Sequence, residues 1–208
     1  MRRAAQPQLP FHGGPRPGSG RPRGNRTSHA ARPHFGKPTP VHVTLRLKQH
    51  VWNLRSRRSF QRIQGCFEKS RGRFGARLVE YSVQGNHLHL ILEADDSGAL
   101  SRGMQGLTIR IAKALNALMG RSGRVFDDHY FARLLRTPAE LVRAIRYVLG
   151  NAARHFGSGG TDPFSSGALP PETRLLAPPR GWLLRRGVRR VAPELALRWS
   201  RGPDRPGT

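Results

Sequence analysis

His87 and His89 stand one residue apart in the segment 85–92, which reads Gly-Asn-His-Leu-His-Leu-Ile-Leu. Successive side chains of a β-strand point to opposite faces, so both imidazoles would share one face and the leucines would take the other. Two neutral imidazoles on one rigid face provide two of the ligands that a divalent metal ion needs. The chain has nine histidines among 208 residues, and chance alone predicts about 0.4 such pairs for this composition. By itself, the pair fits a metal site and also two ordinary histidines on a solvent-facing strand.

A tyrosine and an amide lie one turn apart in the last predicted helix. The segment 137–140 (Thr-Pro-Ala-Glu) favours a helix start, and we expect the helix to run to about residue 155. Its apolar stripe consists of Leu141, Ile145, Val148, Leu149 and Ala152. At about 100° per residue, Tyr147 lies about 155° from the centre of this stripe, and Asn151 lies about 40° from Tyr147. Such a tyrosine, with Arg143 and Arg154 on the same face, suits chemistry on phosphates, although a plain surface tyrosine fits the same pattern.

The rest of the central region alternates between strand and helix patterns. Strands are predicted at 41–47, 79–84 and about 87–94, and helices within 57–74 and over about 98–119. A fourth strand with a loop at its start is predicted at 124–136. The dipeptide Gly85-Asn86 predicts a tight turn, which makes the second and third strands an antiparallel hairpin. The order strand–helix–strand–strand–helix–strand predicts an α+β fold with a ferredoxin-like antiparallel sheet (βαββαβ) and an added C-terminal tyrosine-bearing helix.

Several side chains are assigned to packing. Phe74 continues the helical spacing within 57–74, and Tyr81 is expected to be buried because it alternates with Val79 and Val83. Cys66 is interpreted as a small core residue, and a single cysteine excludes an intramolecular disulfide and a cysteine-based zinc site. Four residues near the fourth strand could stack on bases or pack in the core: Phe126, His129, Tyr130 and Phe131.

The charge balance predicts a polyanionic partner. The chain has 37 Lys and Arg against 12 Asp and Glu, which gives a net charge of +25. Such a field attracts polyanions and makes affinity fall steeply with salt, and the forked guanidinium group matches phosphate oxygens. Nucleic acid is therefore the predicted partner. No basic amphipathic helix with an aromatic face stands out, and no apolar run reaches the ~18 residues of a spanning helix, so no membrane partner is expected.

Composition divides the chain into three parts. Residues 1–39 are rich in Arg, Pro, Gly and Ser, and we expect a disordered basic arm. Residues 40–156 form the predicted compact domain, and residues 157–208 form a Pro-, Gly- and Arg-rich tail that is partly docked through a short apolar stretch at 182–188. The first residues lack the apolar run of a secretory signal, so we expect a cytoplasmic, nucleoid-associated protein.

Residues 40–156 resemble the HUH single-tyrosine transposases, particularly the REP-associated tyrosine transposases. The resemblance depends on four segments taken in order, namely 85–92, Ser-Arg-Gly-Met-Gln-Gly at 101–106, Gly-Arg-Val-Phe-Asp-Asp-His-Tyr at 123–130, and Tyr-Val-Leu-Gly-Asn at 147–151. It implies that His87 and His89 are metal ligands, that Asn151 occupies the position of the third ligand and that Tyr147 is the nucleophile.

The resemblance implies a metal-dependent transposase that nicks and joins single strands through a covalent phosphotyrosine. A divalent ion, Mg²⁺ or Mn²⁺, would act as a Lewis acid on the scissile phosphate. The substrate would be single-stranded or hairpin DNA, because a strand must be unpaired to reach the site. Arginines around the site are candidate DNA contacts: Arg121, Arg124, Arg133, Arg136, Arg143, Arg146 and Arg154.

Two alternatives are weighed against this interpretation. A non-catalytic DNA- or RNA-binding protein on the same fold stays open. A histidine-triad nucleotide hydrolase is disfavoured, because that site needs a third alternating histidine and Ile91 stands there. The apolar stripe of the tyrosine helix must pack on the C-terminal segment or on a second subunit, so both a homodimer and a monomer stay open.

Overall fold

The structure is a computed structural model that describes residues 34–156, 160–170, 173 and 175–196; the side chains of 152–156 and 196 are not described. Most of the predicted arm, residues 1–33, and the end of the predicted tail, residues 197–208, lie outside the described residues. Phe35 is already buried against the core, and its carbonyl accepts a hydrogen bond from the backbone N–H of Ser97 at 3.0 Å. The folded part of the chain therefore begins before residue 40.

The described chain forms a four-stranded antiparallel sheet with helices on both faces. The elements are β1 (Thr39–Arg46), α1 (Arg57–Ser70), β2 (Ala76–Val83), β3 (His87–Ala94), α2 (Ser97–Leu118), β4 (Phe131–Leu134) and α3 (Pro138–Phe156). The strand order is β2-β3-β1-β4, and every pairing is antiparallel. This confirms the predicted α+β fold with a ferredoxin-like sheet and an added C-terminal helix. None of the described helices has both the length and the apolarity needed to cross a membrane.

The first face of the sheet packs on α1 and α2. Ser56 caps α1 by accepting a hydrogen bond from the backbone N–H of Ser59 at 3.2 Å, and Asp96 caps α2 through Ala99 at 2.6 Å. The core between sheet and helices is apolar, and its fully buried side chains include Leu45, Ile63, Phe67, Tyr81, Leu88, Leu90, Met104, Ile111 and Leu115. Cys66 is buried there as expected, and burial raises the pKa of its thiol.

The second face of the sheet carries the histidines and packs on α3. The apolar stripe of α3 is buried against Val79 and Ile91 from the sheet and against Leu184, Val188 and Ala192 from the C-terminal segment. That segment forms a π-helical turn (Leu183–Gly187), a 3₁₀ turn (Val188–Arg190) and the short helix α4 (Pro193–Ala196). The stripe therefore packs between the sheet and the C-terminal segment, which was the first of the two predicted possibilities.

A buried carboxylate fixes the start of this C-terminal segment. Glu93 is fully buried on β3 and accepts hydrogen bonds from the backbone N–H groups of Arg180 and Gly181, both at 2.7 Å. Arg77 donates to the same carboxylate through Nε at 2.9 Å and to Asp95 through Nη2. A Cβ on Gly181 would lie 2.6 Å from a Glu93 oxygen, so only glycine fits here without a shift. We call Glu93 with these partners the Glu93 anchor.

Three local predictions were wrong. The fourth strand covers only Phe131–Leu134, shorter than the predicted strand in 124–136 with a loop at its start. The chain bends at Asp127 and Asp128, where the Asp128 side chain accepts from the backbone N–H of His129 at 2.7 Å. Phe74 lies beyond α1 at a positive φ of 59° and is exposed. A β-bulge between Leu78 and Glu80 turns Val79 to the α3 face, so Val79 does not share a face with Tyr81. Tyr81 itself is fully buried, as predicted.

Candidate functional site

His87 and His89 lie side by side on the sheet face that α3 covers. Their ring centroids are 4.9 Å apart, with the ring planes at 90°. The Asn86 side-chain oxygen lies 2.9 Å from Nδ1 of His87, which favours the tautomer with a proton on Nδ1 and a lone pair on Nε2. His87 is half-buried and His89 is buried. The shared face that the His-x-His spacing predicts is present.

β1 adds a third imidazole that the sequence analysis did not select. His42 lies on the same face, two residues before Thr44, which is the cross-strand partner of His89. Its Nε2 is 3.2 Å from Nδ1 of His89, and the Thr44 hydroxyl is 3.3 Å from that same nitrogen. Burial, followed by the positive charge of Arg133, lowers the pKa of His42 below its ordinary value. His42 is therefore a neutral ring at neutral pH, and it orients His89 through Nδ1.

Tyr147 meets these imidazoles from α3. Its ring centroid lies 5.2 Å from that of His89 and 5.9 Å from that of His42, with edge-on geometry in both cases. The side chain is 37% exposed, so solvent and a ligand can reach it. The helix can present Tyr147 in this way because its apolar stripe packs on Ile91, which is two residues beyond His89 on the same face of β3.

Asn151 follows Tyr147 by one helical turn and is almost fully buried. Its side-chain nitrogen has no hydrogen-bond partner within the described residues. The oxygen and nitrogen of a side-chain amide are assigned from their partners, and a rotated amide would place its oxygen at this position. A buried amide atom without a partner in the described residues suits a group that these residues do not supply, such as a cation held through a rotated amide's oxygen.

The residues present suit a divalent ion by donor type. Imidazole and carbonyl-type oxygen are ligands for first-row divalent metals, and two histidines with one amide would leave open positions. Among the described residues, there is no group of three or more His, Cys, Asp or Glu side chains that could hold a metal ion. An ion held by His87 and His89 would therefore need further ligands of another type, such as an amide oxygen or oxygens of a substrate.

The predicted DNA-contacting arginines lie on several different elements. Arg133 lies on β4 directly opposite His42. Arg143 and Arg146 are exposed on α3, and Arg146 donates to Glu194 of α4 at 3.2 Å, so it points towards the C-terminal segment. The side chain of Arg154 lies outside the described residues. The other three lie in connections: Arg121 and Arg124 follow α2, and Arg136 precedes α3.

The four candidate stacking residues differ in exposure. Tyr130 is buried and Phe126 is partly buried, and both pack against the core under α1 and α2. His129 is exposed in the loop before β4. Phe131 is 51% exposed and pairs across the sheet with Thr44. Phe131 is therefore the exposed aromatic side chain on the histidine face of β4.

Comparison with known proteins supports the fold. No protein-family model matches the sequence, and no curated protein matches it. The structure is similar to that of a REP-associated tyrosine transposase bound to a REP hairpin, with a TM-score of 0.56 and 16% sequence identity over 67% of this chain and 82% of that chain. A candidate transposase from Deinococcus radiodurans R1 gives a TM-score of 0.40 and 12% identity over 57% and 92% of the two chains, which is too low to support an argument. The likeness to the first structure shows a shared fold.

Proposed function

We propose that this chain is a metal-dependent, transposase-like enzyme that nicks and joins single-stranded or hairpin DNA through a phosphotyrosine at Tyr147. The observation that carries the proposal is the meeting of Tyr147 with His89 at 5.2 Å between ring centroids, from elements far apart in the sequence. A phenol beside paired imidazoles is the combination that a tyrosine nucleophile and a phosphate-binding ion require. The shared fold with a tyrosine transposase supports the same conclusion.

Each residue has a defined role in this proposal. His87, His89 and Asn151 would hold a divalent ion such as Mg²⁺ or Mn²⁺, which when bound supplies Lewis-acid chemistry to a phosphate oxygen. Asn86 fixes the tautomer of His87, and His42 with Thr44 fixes the ring of His89. These contacts hold both rings before substrate arrives, so little reorganisation is needed during the reaction.

The covalent step exchanges one phosphodiester for another. The Tyr147 oxygen attacks the scissile phosphorus, the bond from phosphorus to the 3′ oxygen breaks, and the fragment on the 3′ side of the break stays on the protein through its 5′ phosphate. The phenol loses one proton and the leaving 3′ oxygen gains one, so the reaction is balanced and needs no nucleotide cofactor. Attack of a 3′-hydroxyl on the phosphotyrosine reverses the step and joins strands.

The charge and exposure of the site favour a single strand as the substrate. The net charge of +25 attracts DNA. Tyr147 is only 37% exposed and His89 is buried, so a phosphate must enter between α3 and the sheet to reach both. An unpaired strand can enter there, whereas a duplex is too wide. The stem of a hairpin would therefore bind to surfaces outside the gap between α3 and the sheet.

End-labelled oligonucleotides test the proposal directly. Purified protein with Mn²⁺ is incubated with a single-stranded hairpin oligonucleotide that carries a label at its 3′ or its 5′ end. We expect the 3′ label to migrate with denatured protein and the 5′ label to be released on a shorter strand with a free 3′-hydroxyl. Tyr147→Phe should abolish the adduct, and His87→Ala should abolish metal-dependent cleavage with DNA binding largely kept.

The three tyrosines of the chain provide matched controls. Tyr130→Phe removes a hydroxyl from a tyrosine that packs in the core, and it should leave adduct formation unchanged. Normal adducts with Tyr147→Phe would show that the nucleophile is another residue. A wild-type protein that binds hairpins and forms no adduct with any of them would establish the non-catalytic alternative.

A further inference from the structure

Phe131 is a large apolar side chain that the fold leaves half exposed beside the candidate site. The burial of β4 alternates, with Ala132 and Leu134 packed against the core under α1 and α2, while Phe131 and Arg133 are exposed. An isolated exposed aromatic needs no explanation by itself. The surroundings of Phe131 make it informative, because cross-strand partners share one face of a sheet.

The register places Phe131 in one row with the site. Phe131 pairs with Thr44 on β1, and Thr44 pairs with His89 on β3. Neighbouring strands lie about 4.8 Å apart, so Phe131 is about 10 Å from His89 across the sheet. Thr44, which lies between them, has a small side chain, so it adds little bulk to the sheet surface between Phe131 and His89. A flat ring and an imidazole therefore lie at the two ends of a row whose middle residue is small.

Positive charge lies on both sides of this row. Arg133 pairs with His42 two residues along the strands from this row, and Arg46 pairs with His87 two residues along in the other direction. Both arginines are exposed. An aromatic ring flanked by guanidinium groups is the arrangement that holds a single nucleic-acid strand, because bases stack on the ring and phosphates pair with the charges.

We propose that Phe131 is a positioning residue that stacks on a base next to the scissile phosphate, while Arg133 contacts the phosphate that follows it. The inference rests on the proposed function and adds the path of the strand across β4. Stacking fixes the register of the strand, so that the phosphate between the histidines and Tyr147 is the same one in each encounter. Phe131 therefore sets where the strand is cut as well as how tightly it binds.

Fluorescent single-stranded oligonucleotides test this without chemistry. Each carries one 2-aminopurine, a base whose emission falls when it stacks, and the label is moved along the strand with divalent metal removed by chelation. One position close to the cleavage site should be quenched strongly by the wild type. Phe131→Ala should abolish that quenching and weaken binding by about 5- to 140-fold, the range for loss of one base stack. Phe131→Trp should restore both.

Ile109→Ala is the matched control, because Ile109 is exposed to a similar extent on α2, on the opposite side of the sheet. It should change neither quenching nor affinity. With metal present, Phe131→Ala should also spread cleavage over neighbouring phosphates. If Phe131→Ala binds, quenches and cuts at the same position as the wild type, the inference about Phe131 is wrong and the nuclease proposal is unaffected. Normal stacking without any adduct would overturn the nuclease proposal and keep Phe131 as a strand-binding residue.

Discussion

Glu93→Gln should loosen the C-terminal segment from the sheet. The Glu93 carboxylate accepts three hydrogen bonds, from Arg77 Nε at 2.9 Å and from the backbone of Arg180 and Gly181 at 2.7 Å each. It has no solvent exposure. The substitution keeps the shape of the side chain and replaces one acceptor oxygen by a donor, so a buried guanidinium group and a backbone N–H lose their charged partner.

The structure limits the size of this effect. Removing one partner of a buried ion pair costs about 3–5 kcal/mol in the free energy of unfolding. With its oxygen at the Oε2 position, Gln can still accept from Arg77 and from the backbone N–H of Arg180, and Asp95 still pairs with Arg77. The negative charge beside Arg77 and the acceptor for the Gly181 N–H are lost. We therefore expect a loss near the lower limit, about 3 kcal/mol, which is a large part of the 5–15 kcal/mol that stabilises a typical domain.

Two measurements check this prediction. Urea unfolding followed by circular dichroism gives the loss of stability, and brief trypsin digestion reports the local opening of the segment. The trypsin sites in the segment are Arg180, Arg185, Arg186, Arg189 and Arg190. Cleavage there should rise before the rest of the chain is cut, because the segment is anchored at its start by Glu93.

Asp95→Asn is the control for Glu93→Gln. Asp95 pairs with the same arginine, but its side chain is 43% exposed and it holds none of the C-terminal backbone. Its loss should cost less than about 1 kcal/mol and should not increase cleavage in the segment. If Glu93→Gln unfolds within about 1 kcal/mol of the wild type and its segment resists trypsin, the Glu93 anchor does not hold the segment.

Two further predictions concern pH and salt. Burial raises the pKa of Tyr81 to about 12, so the tyrosine of the unfolded chain ionises first. The free energy of unfolding should therefore fall by about 2 kcal/mol as pH rises from 10 to 12, and Tyr81→Phe should remove this fall in pH-dependent urea melts. Arg133→Ala should reduce the slope of log affinity against log salt for single-stranded DNA by about 0.7, whereas Arg62→Ala, on α1 across the sheet, should leave the slope of the same titrations unchanged.

Local periodicity was sufficient to predict most of the fold. Alternation in β1 and β3 predicts which side chains face α1 and α2. The short turn between β2 and β3 predicts that these two strands form a hairpin. The apolar stripe of α3 likewise predicted a buried face opposite Tyr147. These features depend on residues near one another in the sequence, and for that reason the pattern alone identified them.

The errors arose where a single residue changed the local geometry. The bulge at Val79 adds one residue to β2, and strict alternation cannot anticipate it because the inserted residue is itself apolar. Phe74 carries the correct residue type for the helical pattern, but Gly72 adopts a φ of 64° and the chain has already left the helix. In both cases the hydrophobic pattern continues through a backbone change that it does not encode.

His42 shows why the candidate site was only partly predictable. The alternation of β1 places His42 and Thr44 on its polar face, and a ferredoxin-like order brings β1 beside β3, so a polar face shared with His89 follows from the topology. Predicting the contact between His42 and His89 also requires the exact register of β1 against β3. A shift of this register by two residues would keep every buried side chain on the same face and would move His42 away from His89. The register is set by β3, β4 and both flanking helices together, which are non-local contacts. A site built across strands can therefore be located on a face by sequence, but its partners are identified only when the pairing is known.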